Sequence, residues 1–548
     1  MLIVLVLPSI LFPPKKTAVK RPGGQAVGDT GAGNPAPAPA AESLSARPPV
    51  RATAAVAAPA AETVWVTSPF YRLGFSTRGG ALVSAELLDY KSFAPADSGR
   101  PVQLIPSGRP MLVYGRTAGG DTTALSSWSL SPSAKQVSVG QEGATLTFRG
   151  VQDGAQVVLE YRFFPGEYRV SVRGRMQGFG PTGSTLLLGL GDGLRTVEAD
   201  TMDDFRHFAA VTKAAKTQSL ALQSLNPGER KILDGPFEWA GVKSKYFFSA
   251  ALAIEENAPR FGAAIIEGGS RTVTASSLFG RSNVATRAAL ELTLPVPPAG
   301  DFGFDLYVGP LEYRRLAKLG HDLDDANPYG GVLRPIIQPV SVLVVNILIW
   351  MHDRLSLAYG WVLITFGILV RALLWPLNQR AMESSIRMQA VAPLMKQLQD
   401  RHKNDPERLQ REMMRLYKEH NVNPLGGCLP MLLPMPVLFA LFFVFANTIE
   451  FRGVPFLWLS DLSRADPYYI IPILMGLSMF VLSKVGQIGV PPNPQTKMMV
   501  YFMPVFMTVL FLRFASGLNL YYLVSNLFSI PQQYLIAQRR LRQQAGKT

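Results

Sequence analysis

Five apolar stretches in the last third of the chain, residues 355–377, 425–448, 468–483, 498–512 and 518–536, constrain this sequence more than any other feature. A helix needs about 20 apolar residues to cross ~30 Å of hydrocarbon, and these runs reach that length or fall slightly short of it. They predict five membrane crossings. The composition agrees, because 48% of the 548 residues are hydrophobic and only 17% are charged, which is too apolar for a soluble chain of this size. Residues 336–354 are also apolar but end on His352, Asp353 and Arg354, so an amphipathic helix lying in the interface is expected there.

The loops set the orientation. Arg380, Arg387, Lys396, Arg401, Lys403, Arg408, Arg411, Arg415 and Lys418 follow the first crossing, and Arg539, Arg540, Arg542 and Lys547 follow the last. By the positive-inside rule both the 378–424 segment and the 537–548 tail are cytoplasmic, and five crossings connect them consistently. The 378–424 segment reads as a helical hairpin, with arms at 383–401 and 406–420. Asp405 caps the second arm and Pro406 takes its first position. Leu409, Met413, Leu416 and Tyr417 stripe one side of that arm. The net charge of +15 admits anionic partners, of which lipid and ribosome fit a membrane chain.

Ahead of the spans the pattern changes twice. Residues 1–12 are apolar but broken by Pro8 and too short to cross, so they read as the remnant of a first transmembrane helix. Residues 13–61 are rich in Ala, Pro and Gly and form a linker with no capacity for a core. Residues 62–322 carry short β-branched and aromatic runs separated by turn residues, the pattern of an antiparallel β-sandwich. The topology puts this domain outside, in the periplasm of a Gram-negative cell.

No catalytic set announces itself, so the chain is not expected to be an enzyme or to need a cofactor. Gly189 to Leu194 lacks the third glycine of a nucleotide loop, and the five histidines have no metal-ligand spacing. Cys428 lies in an apolar run and reads as a structural thiol. Within the spans, Arg371 is the one deeply placed ionisable residue of the first crossing. It either snorkels to the headgroups or faces a wet cavity. Met431 and Met435, with Met498, Met499, Met503 and Met507, offer adaptable apolar surface or ordinary packing. Tyr521, Tyr522, Ser525 and Asn526 either bond neighbouring helices or line a groove.

Several motifs resemble those of the YidC insertase family in order and spacing. They are Phe366 to Leu377 with Arg371, Asn423 to Pro430, Met435-Pro436, Asp466 to Gly476, and Ser516 to Asn526. Ser76 to Gly80, Trp239 to Phe248 and Tyr307 to Pro310 are similar to that family's periplasmic domain. The resemblance implies a polytopic α-helical protein of the bacterial inner membrane, with a five-span insertase core, a truncated N-terminal span and a large periplasmic β-sandwich. It implies a hydrophilic groove with Arg371, Met435, Tyr521, Tyr522, Ser525 and Asn526 as substrate-facing residues. It further implies insertion and folding of nascent membrane proteins, alone or with the Sec translocon. Ribosome or targeting factors would meet the hairpin and basic tail, membrane lipids would surround the core, and DNA is not a partner. The rival is a secondary transporter or channel with Arg371 as its anion site, which lacks the paired intramembrane carboxylate that ion coupling needs. Nothing in residues 62–322 points toward a substrate path, so that domain is expected to be dispensable for insertion.

Overall fold

Alternation at period two organises the first half of the protein. Strand Ala155–Phe163 buries Val157, Leu159, Tyr161 and Phe163 while Gln156, Glu160 and Arg162 face outward. It pairs antiparallel with Ala144–Gln152 on one side and Arg169–Gln177 on the other. The computed structural model describes residues 61–545, apart from 119–120, 180–183, 254–258, 270–271, 278–279, 286, 328, 330–332, 403–404, 421–434 and 490–493. Among them the strands form one separate hairpin and sheets of nine, six and five strands, and the inward side chains of these three sheets share a single core. Tyr161 shows how its polar atoms are accommodated. Its buried hydroxyl donates to the carbonyl of Gly80 at 2.8 Å and lies 3.0 Å from the hydroxyl of Tyr114. One pairing departs from an antiparallel sandwich: Thr63–Thr67 runs parallel to Gln136–Ser138. The long excursion between these strands supplies the crossover that parallel neighbours require.

A short helix, α1 (Thr201–His207), interrupts the strands, and the last of them, Asp301–Pro310, leads into α2 (Tyr313–Leu319) and a 3-10 turn at Leu323–Ala326. The helical half follows as α3 (Arg334–Leu355), α4 (Tyr359–Arg401), α5 (Pro406–Glu419), α6 (Met435–Asn447), α7 (Ile470–Gly486), α8 (Pro494–Phe511) and α9 (Ser516–Ala545). Ser356, with a φ of 51°, ends α3 in a left-handed turn, so the next helix begins at Tyr359 rather than at residue 355. Helix α4 does not stop at 377. Gln379, Arg380, Ala381 and Met382 are good helix formers with no breaker among them, so the first hairpin arm is a direct extension of the apolar helix. The second arm, α5, is capped by Asp405, whose carboxylate accepts from the backbone N–H of Arg408 at 2.9 Å.

Helix α9 packs along α7 and α4, and α8 packs on α7. The outward faces carry Leu373, Leu477, Val505 and Leu527, each more than half exposed, as the hydrocarbon-facing side of a membrane helix does. Gly476 on α7 meets α8 so closely that a Cβ there would overlap the Thr508 side chain. The remnant at 1–12, the linker to residue 60, the start of the 425–448 run with Cys428 and Met431, the Lys403-Asn404 turn and Lys547 lie outside the described residues.

Candidate substrate groove

Polar residues recur along α9 at spacings of three and four, at Tyr521, Tyr522, Ser525, Asn526, Ser529 and Gln532, which places them on neighbouring faces of one helix. Opposite them, α4 presents Arg371, Trp375 and Asn378 at the same period. The two sets meet in a ladder. Arg371 Nε donates to the carbonyl of Ser525 at 3.3 Å, and Ser529 Oγ donates to that same carbonyl at 2.6 Å. Two turns further on, Gln532 Nε2 donates to the carbonyl of Trp375 at 3.2 Å, while Asn378 Nδ2 donates to Gln532 Oε1 at 3.1 Å. On the other side of α9, Asn526 Nδ2 reaches Ser478 Oγ of α7 at 3.2 Å.

Arg371 is half-buried in this ladder, and no carboxylate among the described residues pairs with it. Tyr521 packs on Phe366 and on Tyr522, with ring centroids 6.1 and 5.5 Å apart. The Tyr522 hydroxyl is buried with no hydrogen-bond partner among the described residues. Met435 is half-buried at the first described residue of α6, outside the hydrogen-bonded set. The ladder also contains Ser478, Asn378, Ser529 and Gln532, which the sequence reading passed over. Their signal was available, since polar residues at spacings of three, four and seven in otherwise apolar helices mark one shared face.

The basic tail contains a residue with a different job from the one its composition suggests. Arg540 is only 5% exposed, and its Nη1 donates to the carbonyls of Gly486 and Ile488 at 3.1 and 2.9 Å. It therefore caps the C-terminal end of α7, where carbonyls are unpaired and the helix dipole favours a cation. Arg540→Ala is expected to destabilise the protein by about 1–3 kcal/mol, seen as a lowered Tm in detergent. An unchanged Tm would show that the cap carries no weight.

Two family models match the chain. The one described as "60Kd inner membrane protein" matches residues 350–544, and "YidC periplasmic domain" matches residues 63–343. A membrane protein insertase YidC from Syntrophus aciditrophicus is 32% identical over 87% of this chain and 85% of its own length. One from Cupriavidus metallidurans is 30% identical over 96% of this chain and 92% of its own. Among solved structures, an active YidC insertase crystal structure with its first transmembrane domain resolved covers 86% of this chain and 92% of its own, at 17% identity and a TM-score of 0.34.

Proposed function

The chain belongs to the YidC family of membrane protein insertases, an inner-membrane family with a periplasmic domain, and from that premise we propose that the α4–α9 polar ladder receives the substrate. The observation that carries this reading is Arg371. It is a half-buried cation between two apolar helices, held by a backbone carbonyl and neutralised by no carboxylate among the described residues. Arginine keeps its charge in proteins, so a cation so placed is tolerated where water or an incoming anion solvates it. The buried Tyr522 hydroxyl argues the same way, since a hydroxyl kept dry and unbonded costs roughly 1–3 kcal/mol. A wet, positively charged cleft lowers the desolvation cost of drawing a polar tail part-way across the membrane, so no nucleotide or catalytic group is needed.

In this reading the apolar part of α4, with α6, α7, α8 and α9, crosses the membrane, and α5 with the lower half of α4 forms the cytoplasmic arm. Helix α3 is long and apolar enough to cross. Its contacts favour a different placement. Arg334 at its start pairs with Asp325, Gln338 donates to the same carboxylate at 2.8 Å, and Asp353 near its end pairs with Arg314 at 2.7 Å. Both ends are thus tied to the short segment that closes the outer domain, which fits a helix lying along the outer surface. Nascent membrane proteins are the substrates, the Sec translocon is an optional partner, and ribosome or targeting factors meet the arm. Site-specific photo-crosslinking to a stalled nascent membrane protein tests this. Probes at 371, 378, 525 and 532 are expected to label the substrate, whereas probes at the outward positions 373 and 527 are expected to label it far less. Equal labelling from both sets would place the path elsewhere.

A further inference from the structure

The loop joining α6 to α7 enters the outer domain. Arg452 pairs with Glu198 at 2.7 Å, and the two side chains are only 3% and 10% exposed. The guanidinium also lies over the rings of Phe93 and Phe247, 4.4 and 5.4 Å from their centroids. Alongside, the Asn447 carbonyl at the end of α6 accepts from Asn327 Nδ2 at 2.8 Å, and Asn327 Oδ1 accepts from the buried Lys243 ammonium at 2.5 Å. The same loop holds the ends of two further helices. Asp466 accepts from the backbone N–H of Ile471 in α7 at 2.8 Å, and the carbonyls of Arg464 and Leu462 accept from Ser516 and Gly517 in α9 at 2.7 and 2.9 Å.

Between Arg452 and α2 lies Glu450. It lines a cavity of about 390 Å³ at the junction, shared with Asp89, Tyr90, Lys91, Phe93, Glu312 and Arg452. Neither carboxylate oxygen of Glu450 reaches solvent or makes a well-formed hydrogen bond among the described residues. The Tyr313 backbone amide and the Arg314 side chain offer it partial relief, and Glu312 repels it. Tyr329 and Tyr359 complete the groups within electrostatic reach.

We propose that this junction is a latch, in which the Arg452–Glu198 pair seats the α6–α7 loop in the outer domain and Glu450 tightens the seat when it takes up a proton. Burial pushes the Glu450 carboxyl up to about 7, from an ordinary 4.5 when the loop is free in water. A carboxyl whose docked pKa is raised opposes docking above that value, and the opposition fades as pH falls toward the free value. Between pH 7.5 and 5.5 that sign strengthens docking by up to roughly twentyfold. Lys243 acts in the opposite direction, but burial lowers its ammonium only to about 8, so its contribution changes mainly above this window. The latch therefore responds to acidity on the outer side of the membrane, through a loop that also holds the ends of α7 and α9.

Hydrogen exchange on the full chain in lipid nanodiscs tests this, read at the amides of residues 447–454 and corrected for the intrinsic pH dependence of exchange. In the wild type, protection of this segment is expected to rise several-fold to about twentyfold from pH 7.5 to 5.5. E450Q is expected to stay folded and lose most of that rise, the remainder coming from Glu198, whose carboxyl burial also pushes up. E198Q and R452M are each expected to lower protection at both pH values, because either leaves the other charge buried and unpaired. A flat wild-type profile, an undiminished rise in E450Q, or unchanged protection in both E198Q and R452M would each overturn the proposal.

Discussion

Replacing Arg371 by alanine is expected to abolish most insertion of substrates with acidic translocated tails and to spare much of the insertion of neutral ones. At an effective dielectric of ~20, a charge pair at ~4 Å is worth about 4 kcal/mol before desolvation, enough to decide whether a short acidic tail enters. Arg371→Lys is expected to keep most activity. An ammonium supplies the same charge, and the bond the arginine makes among the described residues, to the Ser525 carbonyl, needs no planar fork. Protease protection of one acidic-tailed substrate and its neutralised twin, in wild type and both variants, reads the outcome. Equal loss for both tails in the alanine variant would make Arg371 a structural residue, and an inactive lysine variant would mean that an acidic tail is gripped bidentately.

The second large effect is expected at Gly476, where α7 and α8 cross. A Cβ at that position would collide with Thr508 Oγ1 and press on its Cβ and Cγ2 at 3.1 and 3.3 Å. The Thr508 hydroxyl is not free to swing away at no cost, because it donates to the carbonyl of Pro504 at 2.7 Å. Gly476→Val is expected to force the helices apart and lower stability by about 3 kcal/mol or more, with loss of folded protein in the membrane. Gly476→Ala is expected to be milder and to be partly restored by Thr508→Ala, which removes Oγ1 and Cγ2 together. Thermal unfolding of the purified single and double variants measures this coupling. Full stability of Gly476→Val would show that the two helices yield freely at this crossing.

Much of the architecture was legible because it rests on periodicity. The alternation in Ala155–Phe163 and the apolar runs after residue 355 both report which side of an element meets a core, and that information is local. The extent of α4 was less legible, because its composition changes from apolar to charged at about residue 378 while residues 379–382 keep a good helix propensity. Half of the groove ladder could be read. Arg371 stands out as a charge in an apolar run, whereas Asn378 and Gln532 sit close to the basic loop and tail and look like ordinary boundary residues. The latch could not be read at all. Glu198 and Arg452 are 254 positions apart, and each is an unremarkable charge in a loop until the fold buries both. Arg540 shows the same limit, since a run of basic residues does not reveal which one turns inward to cap a helix.

Helix α4 has one more property that follows from its length. It carries Pro376 five residues beyond Arg371 and Pro393 further along the arm. A proline inside a helix has no N–H to donate to the preceding turn and pushes against it, so bending concentrates there. Gln532 holds both the carbonyl of Trp375 and the side-chain amide of Asn378, one on either side of Pro376, so any bending of the helix is left to the arm beyond residue 378. The arm is thus a lever whose root is clamped. From Asn378 to Arg401 is roughly 35 Å at ~1.5 Å per residue, so a swing of about 15° would carry the tip through roughly 9 Å. A reach of that size fits the proposed role of meeting a substrate at the cytoplasmic surface while Arg371 stays in place beside Ser525.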